Sequence, residues 1–229
     1  MNRMKNKNRK GFTLIELLVV IAIIAVLSVV VILSLNPAEL LRQARDSNRI
    51  SDMATLKSAV SLYLADVTSP FIGTSSICYA GINLAVSSSP WTPDNTGVWA
   101  QPTTSTCGKW FLSMGVGTAS VTTSTSRSVS NNASTSGTGW IPINFNNISS
   151  GAPIGSEPVD PVNTAGTGPS RAGGAYFYSY ATISTSTSFK LGAMTESSKY
   201  STSGGADAET GDGGVNAYMY EQGTNLTSI

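Results

Sequence analysis

The side-chain chemistry available to this chain is that of carboxylates, hydroxyls and two thiols, because it contains no histidine. Imidazole-based triads and His-ligated zinc are thereby excluded. The densest acidic group is Asp207, Glu209 and Asp212 within the glycine-rich stretch from Gly204 to Gly214. Oxygen ligands at that density could hold calcium, but the spacing fits no EF-hand loop. A solvated turn is the preferred reading, and no cofactor or metal is expected. Cys78 and Cys107 enclose 28 residues. In an oxidising compartment they would form one disulfide, contributing about 3 kcal/mol by chain entropy; in a reducing one they would be small buried residues. Glu16 differs from all of these. It is a carboxylate among Leu, Val, Ile and Ala, where a charge at a bilayer centre costs about 2.5–3.5 kcal/mol and less near an interface. Either the headgroup boundary solvates it or a cation must come from outside its own run.

The element that positions Glu16 is the apolar stretch from Phe12 to Leu35, 24 residues broken only by Thr13, Glu16, Ser28 and Ser34. As a helix it would reach about 36 Å, enough to cross a hydrocarbon core of about 30 Å. Arg3, Lys5, Lys7, Arg9 and Lys10 precede it, and the next cation is Arg42. The positive-inside rule therefore leaves the N-terminus in the cytoplasm and the bulk of the chain outside. A cleaved signal peptide is disfavoured, since the run exceeds the usual core of 7–15 residues and no A-x-A-like site follows. The Lys and Arg residues after Lys10 are scattered and outnumbered by the Asp and Glu, of which the chain has 13. No basic stripe is available for nucleic acid.

Lys10-Gly11-Phe12-Thr13-Leu14-Ile15-Glu16 resembles the leader and processing motif of type IV pilins and type II secretion pseudopilins. The resemblance covers about the first sixty residues. It implies cleavage after Gly11 by a membrane peptidase, N-methylation of Phe12, and pairing of Glu16 with the N-terminal amine of a neighbouring subunit. It also implies an inner-membrane assembly platform as a partner and copies of this chain or other pilins as neighbours. The helix physics agrees, because a freed α-amino group and unsatisfied backbone donors at a helix start attract a carboxylate.

Asn36-Pro37 interrupts the run. Either the helix kinks near Leu33 to Pro37, or Pro37 opens a second helix at its first turn with Asn36 as cap. Beyond it Met53, Leu56, Val60, Tyr63 or Leu64, and Val67 recur at steps of three and four, which predicts an amphipathic helix from about Ala38 to Asp66. Arg42, Asp46, Arg49, Asp52 and Lys57 fall outside that row and read as a solvated face. The rest offers short candidate strands at 108–114, 140–145, 175–182, 188–194 and 217–221, of which 175–194 makes the best hairpin, with Tyr176, Tyr178 and Tyr180 on one face. Thr118 to Thr138 holds thirteen Ser/Thr in 21 residues and reads as a mobile or insertion loop. Glu157-Pro158-Val159-Asp160-Pro161-Val162-Asn163 resembles the turn before the tyrosine-rich strands of some pilin and pseudopilin heads.

The expected architecture is α+β and pilin-like: a long N-terminal transmembrane and amphipathic helix packed on a small antiparallel sheet. Its parts are a leader at 1–11, a transmembrane helix at 12–35, an amphipathic extension at 36–67 and an extracytoplasmic head at 68–229. The expected role is a filament subunit rather than an enzyme, first in the cytoplasmic membrane and lipid, then in a surface or periplasm-spanning filament. A type II pseudopilin is the alternative within the family, and a membrane-anchored binding domain is the alternative outside it.

Overall fold

A computed structural model describes residues 11–74, 77–81, 126–130, 132–164, 176–182, 187–214 and 216–226. The chain divides into two compact units, one up to Leu41 and one from Arg42 onward. The first contains helix α1, Leu14–Leu35. Asn36 ends it in the left-handed conformation (φ 40°), which asparagine tolerates better than most side chains, and helix α2 starts at Pro37 and runs to Asp66. Of the two readings of this junction, proline at the first helical turn is the one observed; its missing N–H would be unsatisfied there in any case.

The second unit is a sheet laid against α2. Its strands are β1 (Ile77–Gly81), β2 (Ser126–Ser130), β3 (Tyr178–Thr182), β4 (Phe189–Ala193) and β5 (Tyr220–Gly223), in the order β2-β1-β3-β4-β5. Four strands are antiparallel neighbours, as expected, and the 175–194 hairpin is realised as β3 and β4. Two strands are additions to those expected: β1, and beside it β2, a parallel edge strand that lies inside the Ser/Thr-rich tract. Its Ser-Arg-Ser-Val-Ser carries almost no apolar signal, so composition hides it. Segment 140–145 forms no strand; it is irregular, leads into a single 3-10 turn at Phe145–Asn147, and is nevertheless core. The candidate strand at 108–114 lies outside the described residues.

Strand alternation decides which side chains meet the helix. Tyr79, Tyr180, Leu191 and Gln222 stand in register across four strands. Gln222 accepts a hydrogen bond from Lys57 of α2 at 2.9 Å, so this is the helix-facing side. Met53, Leu56, Val60 and Tyr63 of α2 are fully buried against it with Trp140, Ile143, Phe145, Tyr180, Phe189 and Leu191. Tyr79 and Phe189 flank Tyr180 with ring centroids 5.9 and 6.3 Å away, and Tyr63 meets Phe145 edge-on. Trp140 lies so close over the end of β1 that a Cβ at Gly81 would come within 2.8 Å of the indole, which makes glycine a steric requirement there.

Asp46 and Arg49 depart from the expected solvated face, whereas Arg42 is exposed as expected. Arg49 is buried and forked onto Asp160, with Nε and Nη2 at 2.7 and 2.9 Å. It also pairs with Asp46 at 2.7 Å and Glu196 at 2.6 Å, and its guanidinium lies 4.9 Å from the Tyr176 ring centre. Asp46, itself buried, accepts the backbone N–H groups of Glu196 and Ser197 at 2.8 and 2.7 Å. Arg45 closes the group on Glu196 from the more exposed side. The proline-bracketed turn and the segment after β4 are thus tied to one helix through a buried charge network. A periodicity count misplaces these residues because it has no knowledge of what they meet a hundred positions later.

Candidate assembly site

The chemistry-bearing end of α1 is built by its own first turn. Thr13 has extended dihedrals and serves as N-cap: its hydroxyl accepts the Glu16 N–H at 3.3 Å. In return Glu16 Oε2 accepts the Thr13 backbone N–H at 2.8 Å and the Thr13 hydroxyl at 2.7 Å. This reciprocal capping box satisfies donors that would otherwise be orphaned at the helix start. Glu16 is therefore not without local donors, as its apolar surroundings alone had suggested. Among the described residues, however, the hydrogen bonds it accepts fall on Oε2 and none of the donors is a cation. Sequence could have given this pairing, since Thr13-Leu14-Ile15-Glu16 is itself a T-x-x-E capping pattern.

From Leu14 to Ile32 the large apolar side chains of α1 are exposed over 48–81% of their surface, and Phe12 over 90%. Leu14–Ile32 satisfies the length and composition of a membrane span, and among the described residues none of it is buried. Ser28 returns its hydroxyl to the Ile24 carbonyl at 2.7 Å, so it adds little polar cost. Gly11 and Phe12 directly precede the cap. Among the described residues a Cβ at Gly11 would meet nothing within 4 Å.

Residues 6–32 match the family described as the prokaryotic N-terminal methylation motif. The chain carries the processing motif that marks type IV pilins and pseudopilins. No curated protein and no solved structure matches it. The family is one of structural proteins rather than enzymes.

Gly11, Phe12 and Glu16 lie within the matched residues 6–32, whereas the other residues singled out from sequence lie outside them. Pro37 opens α2. Cys78 has its backbone in β1, and Cys107 lies outside the described residues, so the expected disulfide falls outside them too. The three acidic residues near the C-terminus turn to separate donors. Asp207 takes the backbone N–H groups of Ser203, Glu209 and Thr210 and the Thr210 hydroxyl, which draws its carboxyl down to about 2, the Thr210 hydroxyl contributing most. Glu209 binds Thr195 and Thr202, and Asp212 binds Gly214 and Glu221. Among the described residues no group of three His, Cys, Asp or Glu is placed to hold a metal.

Two head carboxylates have notable electrostatics. Glu196 loses solvation but is held below the usual range by hydrogen bonds from Arg45 and Arg49. Glu157 is pushed up to about 8 by burial, which outweighs the backbone N–H groups of Ile141 and Trp140 pointing at it. Its Oε1 finds no partner among the described residues. At neutral pH Glu157 is thus held largely as the neutral acid.

Proposed function

We propose that this chain is a structural subunit of a type IV pilus-like filament, cut after Gly11, methylated on Phe12 and assembled through its N-terminal helix. The observation that carries this reading is the methylation motif at 6–32 leading directly into a helix whose apolar surface is uncovered. Exposed apolar area of that extent needs lipid or a partner, and a filament supplies the second after the membrane supplies the first. Before assembly the chain sits N-in and C-out, with 1–11 as leader, 12–35 in the bilayer, 36–67 as its extension and the remainder outside.

Cleavage at Gly11 would remove the five leader cations and leave a new ammonium on Phe12, one residue before the cap. Glu16 lies four residues along, about 6 Å by the helical rise. Its Oε1 makes no hydrogen bond within its own turn, so it is the oxygen available to the ammonium of an adjacent subunit, while Oε2 keeps the first turn closed. In a lipid-like interior that pair would fix the axial stagger between helices. The experiment is to shear surface filaments from cells making wild-type chain or Glu16→Ala. Membrane insertion should be equal and filament yield should fall at least tenfold; undiminished filaments of Glu16→Ala would refute the role of this carboxylate. Recovery of the wild-type chain only as a membrane-bound monomer would instead favour an anchored head with no filament.

A further inference from the structure

The face of the β4–β5 pair turned away from α2 carries a buried group that filament assembly does not use. Phe189, Leu191 and Ala193 point into the core, so alternation sends Lys190 to the opposite face. Lys190 and Glu221 are both fully buried there. In the strand register Lys190 stands opposite Gly223 and Glu221 opposite Gly192, so the two side chains are diagonal neighbours with glycine beside each. A Cβ at Gly223 would run into the Phe189 carbonyl. Lys190 Nζ lies against Glu221 Oε1 and also donates to the Leu226 carbonyl at 3.2 Å. Glu221 Oε2 accepts the Asn216 N–H at 3.0 Å, while Oε1 accepts no hydrogen bond of ordinary geometry. Asp212 completes the group. It accepts the Glu221 N–H and, at 2.7 Å, the Gly214 N–H. A Cβ at Gly214 would overlap Glu221 Oε2 and lie 3.0 Å from Asp212 Oδ1, so both carboxyl groups flank one glycine.

We propose that Lys190 and Glu221 condense into an intramolecular isopeptide bond across β4 and β5, with Asp212 as the proton carrier. For the amide to form, one proton must pass from Nζ to the Glu221 carboxylate, giving the neutral amine and the neutral acid. That pair is the reactive one, and the strand register holds it in place so that the addition is effectively unimolecular. Nζ adds to Cδ and the C–N bond forms. Asp212 takes a proton from the nitrogen and returns one to the departing hydroxyl, the C–O bond breaks, and water leaves. Ammonium plus carboxylate thus become amide plus water, with no change of oxidation state and no co-reactant. Burial raises the Asp212 carboxyl to about 6, against the opposing pull of its backbone donors, which suits a group that must both accept and give a proton.

The test uses the full chain purified in detergent, denatured and digested with trypsin. A crosslinked chain resists cleavage after Lys190 and yields a branched peptide joining residues 172–199 to 200–229, lighter by one water than the two together. Lys190→Met and Glu221→Ala should give only unbranched peptides, and Asp212→Asn should slow crosslinking at least tenfold. Wild-type protein that releases 172–190 and an unbranched 200–229 overturns the proposal whatever the variants do, and unaltered crosslinking in Asp212→Asn removes Asp212 from it.

Discussion

The two helices use carboxylates in opposite ways. In α1, Glu16 sits in an apolar helix and, among the described residues, takes its donors from its own first turn and meets no cation. In α2, Asp46 is buried with Arg49 beside it and two backbone N–H groups from the far side of the head. The charge of the first is left for another molecule, and the charge of the second is consumed within this one. A carboxylate in an apolar setting therefore announces a partner without saying which; the location of the counter-charge decides between assembly and folding.

The largest expected effect on that contrast comes from Arg49→Met. It would strand Asp46 and Asp160 in the core, and removing one member of a buried charge network costs about 3–5 kcal/mol. Thermal unfolding followed by tyrosine and tryptophan fluorescence should show the head lost or strongly destabilised, with cleavage at Gly11 unchanged. Equal loss of processing would mean that the two regions are not independent. Leu191→Ala, in the centre of the sheet, should cost about 2–5 kcal/mol by cavity formation.

A medium effect follows from pH. Glu157 is held near 8 when folded against an ordinary 4.5, so the folded state keeps a proton that the unfolded chain releases. Stability should fall as pH rises from about 4.5 to 8 and then level off. Glu196 acts in the other direction: its lowered value gives stability present above 4.5 and lost as pH falls further. Melting temperatures across about pH 2–9 should show both limbs, and Glu157→Gln should remove the fall between about pH 6 and 8, while Asp212, itself raised to about 6, keeps part of the fall below that. The smallest effect is that of Arg45→Ala. Arg45 is one-third exposed, so its pair with Glu196 should contribute no more than about 1 kcal/mol.

What was legible in sequence follows the same division. The processing motif, the apolar run and the amphipathic row of Met53, Leu56, Val60 and Tyr63 are local patterns, and each is where the spacing puts it. The tyrosine hairpin is nearly local and was legible too. Arg49 with Asp160 and Asp46 with Glu196 join residues 111 and 150 positions apart, and no window contains both partners. The parallel edge strand β2 was hidden for a different reason, because serine-rich strands lack the apolar alternation by which strands are recognised.

The central claim is that the chain becomes a filament subunit by acquiring a new N-terminus next to Glu16. Mass spectrometry of the N-terminal peptide from purified filaments tests it most directly. A peptide beginning at N-methylated Phe12 is the predicted result, and one retaining Met1 or the leader lysines would contradict the account.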